Sequence, residues 1–417
     1  MYNQSKVGKP CVHRPLPRPG CASWGKGRGS IAIVSDFSGA GKPLSAAPIP
    51  RFLEVIPLKQ ILCLSHSPWQ ARPNRTQQLL ARLNQARILF FEPPPPKRAP
   101  HPEQGRRVRA HITVYTLPTS LLPGLDREAL QRRIQLKAAD FIQKVMDRHH
   151  FREPVLWCTA PDQATYLDRL AYRGLVYDCD REWGEQYLDA ESDLALHAEV
   201  IFAASPGLVQ RLSPCNDNIA LLPNGVNYRM FQRNELAPPP HLAHLAGRPV
   251  LGRVGDLTGQ ADLEPLLHAA QAQPDWTFLM LGRVTKPVAA RLRPFPNILL
   301  HGPFPSVELP DYLCACTVLF DLIRADRRGS DIIPSHLYEY LATGKPIVMM
   351  QEPEQVEPFP DVVYTAYDSA GFLRRCRKAL EEDPRLAGPR RQAYASQAAW
   401  ANRAEEVSRI LDSTGLF

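Results

Sequence analysis

The chain has no run of roughly 18 consecutive apolar residues among its 417, which excludes a membrane-spanning helix. No apolar stretch follows the basic residues near its start, so a secretory signal is not expected. It has no CxxC pair and no Cys/His spacing of a zinc site, and no structural metal or other cofactor is expected. Its nine cysteines stand at 11, 21, 63, 158, 179, 215, 314, 316 and 376; most lie in apolar runs, as Cys63 does in ILCL, and read as reduced, buried thiols of a cytoplasmic protein. No GxGxxG follows a strand candidate, since GRVG at 252–255 lacks the spacing, and this counts against a dinucleotide-dependent dehydrogenase. GAGKP at 39–43 invites a phosphate-loop reading, but Asp36 stands where that loop needs glycine and Pro43 where it needs Ser or Thr.

Most of the chain also lacks an excess of charge. The net charge is +8, yet residues 1–60 hold nine Lys/Arg against two Asp/Glu, leaving 41 against 40 in the remainder. A nucleic-acid protein usually carries its basic patch on the folded domain, so no nucleic-acid partner is expected. Apolar residues make up 44% and charged residues 22%, a globular composition with length for two or three domains. Residues 1–59, with eight prolines, read as a disordered extension or as a start codon placed too far upstream; only Ile31–Val34 suits a strand there.

From Lys59 onward short apolar runs alternate with amphipathic stretches. Strands are predicted at 61–65, 88–91, 112–116, 155–158, 175–177, 200–203 and 219–221, with helices at 75–83, 125–148, 162–170, 185–197 and 207–212. Pro223 to Pro249 has linker composition. The alternation then restarts, with strands at 250–254, 277–281, 297–300, 318–322 and 346–349 and helices at 263–272, 310–315, 334–343, 370–382 and 390–411. This pattern predicts an α/β protein of two doubly wound domains facing a central cleft, with ligands beyond the carboxyl ends of the strands.

The sharpest local feature is RRGSDIIPSHLYEYLATGKPIVM at 327–349. Asp331 and Glu339 flank a Pro–Ser helix start, whose free amides and dipole suit a phosphate. A nucleotide-sugar needs this set: amides and cations for the diphosphate, carboxylates for sugar hydroxyls. A helix-surface carboxylate is the competing reading for Glu339, but its neighbours in LYEYLA are apolar, where an unpaired carboxylate is costly.

SHLYEYLATGKPIV resembles the donor-site signature of the retaining GT-B glycosyltransferases with an E-x7-E motif, the family 4-like group; here the motif reads D-x7-E. LLPNGVNYRMF at 221–231, VLGRVGDL at 250–257, DLEPLLHAAQAQPDWTFLMLG at 262–282 and ILLHGPFPSVELPDYLCACTVLFDL at 298–322 resemble further segments of that group. ILCLSHSPWQARPNRTQQLLARL at 61–83 and LVYDCDREW at 175–183 resemble members that build bacterial exopolysaccharide or teichuronic-acid-type polymers. The likeness spans roughly 61–412. It implies a Rossmann-like acceptor domain over 60–222, a linker over 223–248, a Rossmann-like donor domain over 249–390 and a C-terminal helix over 391–417 that packs back on the first domain.

The resemblance implies that Glu339 binds the nucleotide ribose and Asp331 the donor sugar, as the catalytic carboxylates. Gly255, Gly282, Ser335, His336 and Leu337 would approach the donor, and Gly302 and Pro303 would border the base. No catalytic metal is implied, so cations must offset the leaving diphosphate; Arg253 and Arg283 lead, with Lys286 and Arg324 behind them. His66, Trp69, Arg75 and Gln78 follow the first strand and read equally as acceptor contacts or as a helix N-terminus with a packed Trp; Asp178 and Asp180 read as acceptor-side residues of an acidic strand end lining the cleft. Asp178-Cys179-Asp180 also matches a DxD metal–diphosphate motif, although the nucleotide-type segments all lie in the other half. His336 stands where the group often has Lys, the group's first-domain histidine has no counterpart in WCTAPDQ at 157–163, and Arg181 stands where an acid is usual. The implied reaction moves a hexosyl unit from a nucleoside-diphosphate sugar to a glycan or lipid-linked acceptor. The basic extension, or a basic face near Arg106, Arg107 and Arg109, could meet anionic lipid at the inner membrane face, although a solvated tail is the favoured reading. A nucleotide-sugar epimerase or hydrolase, and a non-catalytic relative with a degenerate site, are the other readings.

Overall fold

The computed structural model describes residues 59–70, 72–94, 104–118, 128–322, 331–350 and 358–417, and of 128–135 the backbone only. The expectations for residues 1–58, for the first turn of the helix starting at Leu125, and for Arg324 fall outside these residues.

The first half runs β1 (Lys59–Leu64), α1 (Arg75–Leu80), β2 (Ala86–Glu92), β3 (Arg106–Arg109), β4 (Ile112–Thr116), α2 (Glu128–Arg148), β5 (Val155–Cys158), β6 (Gly174–Cys179), α3 (Leu188–His197), β7 (Val200–Ala203), α4 (Pro206–Leu212) and β8 (Ile219–Leu221). Its sheet has the order β3-β4-β2-β1-β5-β6-β7-β8, parallel throughout except for β3 against β4. β5 and β6 are buried at every position, as strands between two helical layers must be. One face, with Leu62, Leu89 and Leu156, packs on α2, α3 and α4. The other, with Ile61, Phe90 and Trp157, packs on α1 and on a helix from the far end of the chain.

The second half runs β9 (Val250–Val254), α5 (Glu264–Ala272), β10 (Thr277–Leu281), α6 (Lys286–Leu292), β11 (Ile298–His301), α7 (Leu309–Cys314), β12 (Val318–Asp321), α8 (Ser335–Thr343), β13 (Ile347–Met350), β14 (Tyr364–Ala366), α9 (Ser369–Leu380), α10 (Pro384–Gln397) and α11 (Trp400–Ser413). The order β11-β10-β9-β12-β13-β14 is all parallel and has the Rossmann connectivity, with the chain reversing direction between β9 and β12.

Two expectations need correcting, and three elements were missed. The helix predicted at 162–170 is a short 3-10 turn, Pro161–Tyr166, where the Gln163 side-chain oxygen accepts from the Thr159 and Ala160 N–H groups. The single helix predicted over 390–411 is two, α10 and α11. They separate where Trp400 donates its N–H to Val226 and Val226 donates to Ala398, both at 3.0 Å. α10 contributes Ala395 to the second-half core, whereas α11 contributes Trp400, Ala404, Val407 and Leu411 to the first. Finally β3, α6 and β14 were not anticipated: β3 reads RRVR and hides its single apolar residue among charges. Among the described residues, no helix is long and apolar enough to cross a membrane.

Candidate functional site

The carboxyl ends of β9, β10 and β11 each turn at a glycine with positive φ: Gly255 (+122°), Gly282 (+152°) and Gly302 (+143°). A Cβ on Gly282 would lie 2.5 Å from the Gly255 carbonyl oxygen, and one on Gly302 would lie 2.9 Å from that of Gly282. Only bare backbone stacks this closely, so these turns leave a thin wall. Gly282, Arg283, Pro303 and Phe304 line a cavity of about 630 Å³ on that wall, facing Pro68, Gln70 and Arg72 of the first half.

At the reversal point between β9 and β12, Arg253 donates its Nε to Asp321 at 2.8 Å and His336 Nε2 meets the other Asp321 oxygen at 2.5 Å. Burial raises the Asp321 pKa, but His336 and then Arg253 overcome this and bring it down to about 2. Arg253 also donates Nη1 to the Gly255 carbonyl at 3.0 Å, so it braces the turn.

Pro334 sits at the N-cap of α8 rather than inside it, in extended conformation, and Gly344 closes the helix in the left-handed conformation at φ 73°. Ser335 and Glu339, one turn apart, face a second cavity of about 590 Å³ that shares Arg72 and Ser306 with the first. Glu339 receives Arg72 Nη2 at 3.0 Å across the cleft. Asp331 reaches the other way, its Oδ2 accepting the Gly207 N–H at 2.7 Å in the first turn of α4.

In the first half, His66 follows β1 at that sheet's own reversal point, between β1 and β5. Its N–H donates to Thr159 Oγ1 at 2.9 Å, and Nδ1 meets the same oxygen at 2.9 Å, while Nε2 faces Arg181 Nη2 at 2.7 Å. A guanidinium only donates, so Nε2 must accept and Nδ1 must carry the proton. Burial, opposed by Asp180 and reinforced by Arg181, holds this imidazole below its ordinary pKa. Arg181 also pairs with Asp180 at 2.8 Å and lies over Trp183, whose ring meets His66 edge-on.

The sequence-predicted residues thus separate into groups. Ser335 and Glu339 share one cavity, and Gly282, Arg283 and Pro303 the adjoining one. Arg253 and His336 are committed to Asp321. Arg283 is exposed and chelated by Asp256, Nη2 to Oδ2 at 2.6 Å, and exposed Lys286 opens α6. The Leu337 side chain is wholly in the core, so only its backbone is available to a ligand. Trp69 packs edge-on against Phe90 and donates its N–H to Glu92 at 2.7 Å. Gln78 lines the Glu339 cavity.

Arg75 and Asp178 require a correction. They form a buried ion pair, Nε to Oδ1 at 2.8 Å, with side chains 3% and 0% exposed, and so cannot touch an acceptor here. Thr76 completes the Asp178 shell and Leu222 accepts from Arg75. Burial pushes the Asp178 pKa up, and Arg75 opposes it. Asp178 and Asp180 are thereby held by different arginines rather than converging on one point. Arg72, Arg82 and Arg109 were missed as cavity residues; the one signal for Arg72 is its place in the loop after β1, where ligands of such sheets bind.

No family model matches the chain. A protein of Bacillus subtilis (strain 168), provisionally named teichuronic acid biosynthesis glycosyltransferase TuaH, is 26% identical over 255 residues, covering 55% of this chain and 64% of that one. The chain therefore spans less than two thirds of that relative's length. Among solved structures, sucrose-phosphate synthase from Thermosynechococcus elongatus superposes with a TM-score of 0.66 at 15% identity, over 85% of this chain and 98% of its own. A trehalose-6-phosphate structure from E. coli, bound with UDP-2-fluoro glucose, gives 0.66 at 10% identity over 84% and 99%. HepE of Anabaena, in complex with UDP and glucose, gives 0.61 at 16% identity over 85% and 100%. Two parallel sheets, a glycine-walled cleft and these superpositions together make this a protein of the GT-B fold.

Proposed function

We propose that the chain is a glycosyltransferase that moves a hexosyl unit from a nucleoside-diphosphate sugar to a glycan or lipid-linked glycan in cell-surface polysaccharide synthesis, with retained configuration and without a catalytic metal. The observation that carries this reading is Glu339, a carboxylate on the cleft face of α8 beside a glycine-walled cavity. The wall at Gly282, Pro303 and Phe304 is thin and partly aromatic, which suits a nucleobase. Glu339 spends one oxygen on Arg72 and keeps acceptor capacity for ribose hydroxyls. The free amides at the start of α8 would face the diphosphate. Asp331, held on the Gly207 N–H, would take donor-sugar hydroxyls with its remaining lone pairs.

The Asp321 carboxylate fixes Arg253 and His336, and Arg253 in turn fixes the Gly255 turn. A wall held this way needs no rearrangement when charge develops on the leaving group. The acceptor hydroxyl attacks from the leaving-group side, which is what retention without a covalent intermediate requires. The metal-free reading is supported by Asp178 and Asp180 each being neutralised by its own arginine. The relative from Bacillus subtilis supports the polysaccharide setting.

The test is a thermal-shift and hydrolysis screen of the full chain against UDP-, GDP-, ADP- and dTDP-sugars, with and without EDTA. Stabilisation by one base class that survives EDTA and falls in Glu339→Ala is the expected result. A response abolished by EDTA would overturn the metal-free reading, and no response to any donor would overturn the donor site.

A further inference from the structure

The Glu339 cavity carries more positive charge than the donor reading uses. Three arginines line it, Arg72, Arg82 and Arg109, against the single carboxylate of Glu339. That carboxylate already belongs to Arg72. Arg82 lies just past α1, and its Nη1 donates to the Gln78 carbonyl at 2.7 Å and to Gln78 Oε1 at 2.8 Å. These bonds orient a half-buried guanidinium whose Nε and Nη2 have no partner among the described residues. Arg109 comes from a different element, β3, whose pairing with β4 slips between Arg107 and Arg109. Such a slip re-aims side chains. Arg106 reaches Glu92 and Arg107 its own turn carbonyl, while Arg109 lines the cavity with no carboxylate partner among the described residues.

Burial, and behind it the charge of Arg109, pull the Arg82 guanidinium below its ordinary pKa. Two like charges at one cavity, Arg82 half-buried and Arg109 at its exposed rim, are unfavourable to each other until an anion bridges them. A planar donor fork matches a phosphate or a carboxylate, which accept two hydrogen bonds side by side.

We propose that Arg82 and Arg109 form a second anion-binding site next to Glu339, taking a phosphate or carboxylate group of a substrate. That the group belongs to a substrate rests on the glycosyltransferase reading, whereas the binding of an oxyanion there does not. The diphosphate of the donor is assigned to the start of α8, so the group is one that the acceptor brings, on an acidic glycan or on a glycan with a phosphate-bearing carrier.

Thermal shift and titration calorimetry on the full chain would test this with three probes: inorganic phosphate, trigalacturonate, and the nucleotide-sugar that stabilises the protein most. Wild type should bind phosphate or trigalacturonate, more weakly as sodium chloride rises. Arg109→Gln and Arg82→Gln should each weaken that binding about tenfold or more, the effect of one lost charge-assisted hydrogen bond. Arg109 is exposed, so Arg109→Gln keeps the test valid if Arg82→Gln folds poorly. Weakened trigalacturonate or phosphate binding with intact nucleotide-sugar binding places the group on the acceptor. Nucleotide-sugar binding weakened in both variants would mean that these arginines serve the donor diphosphate, and overturns a second site. No binding of any probe by wild type, or binding equal in wild type and both arginine variants, overturns the site. Glu339→Ala, run alongside, reports on the donor reading separately, because it leaves both arginines in place.

Discussion

Asp321→Asn should be the most damaging single change near the cleft that removes no bulk. Asp321 is 8% exposed at its side chain and holds Arg253, itself 9% exposed, as well as His336. Its pKa falls from 3.8 to about 2 on folding. At about 1.4 kcal/mol per unit, that shift corresponds to between about 2 and 3 kcal/mol of stability. The substitution does more than remove this contribution, because it strands a buried guanidinium without a counter-charge, a defect that costs about 3–5 kcal/mol. Against a typical total of about 5–15 kcal/mol, such a loss is large. Urea unfolding followed by tryptophan fluorescence at pH 7 would measure it. The double variant Asp321→Asn/Arg253→Met should recover part of the loss, since the stranded charge is gone.

The pH dependence has a fixed sign. A carboxylate whose folded pKa is depressed stabilises above its unfolded value, near 3.8, and loses that contribution as pH falls through about 2. The gap between wild type and Asp321→Asn should therefore narrow as pH drops below about 4. A variant within about 1 kcal/mol of wild type at pH 7, or a gap that does not narrow in acid, would refute the claim that Asp321 holds the β9 turn electrostatically.

Glu339→Gln should weaken binding of the preferred nucleotide-sugar by about 10- to 100-fold by calorimetry, the worth of a hydrogen bond to a charged acceptor. Arg72→Ala removes a partly exposed pair, 41% and 19% at the side chains, and should shift the urea-derived stability by no more than about 1 kcal/mol. Gly282→Ala sets a Cβ 2.5 Å from the Gly255 carbonyl oxygen and should lower the melting temperature by several degrees while blunting the nucleotide-sugar response. Leu411→Ala, at a wholly buried position of α11, should cost about 2–5 kcal/mol in urea unfolding, because that helix completes the first-half core.

Most of the sheet framework was legible because parallel strands covered on both faces are continuous apolar runs: VLGRV, TFLML and VLFD could be read directly. The same runs placed the glycine turns, since Gly255, Gly282 and Gly302 each follow a strand end. α8 was legible because Pro334 and Gly344 bracket an amphipathic stretch. Depth was not legible. Arg75 and Asp178 look like cleft residues in a linear reading, and only the placement of α1 over β6 makes them a buried pair. Arg72 was missed because its partner lies 267 residues away. β3 was missed because an edge strand made mostly of arginine lacks the apolar alternation that announces a strand. The break between α10 and α11 was hidden for a related reason: the hydrogen bonds that break the helix come from Val226, in the linker.

The central claim is that the nucleotide of a donor sits on the glycine wall with its ribose at Glu339. A crystal structure of the full chain with the nucleoside diphosphate of the class that stabilises it would test this most directly. The account predicts the base against Gly282, Pro303 and Phe304, and a ribose hydroxyl within hydrogen-bond distance of the Glu339 carboxylate. A nucleotide bound outside the cleft, or inside it with no ribose contact to Glu339, would contradict it.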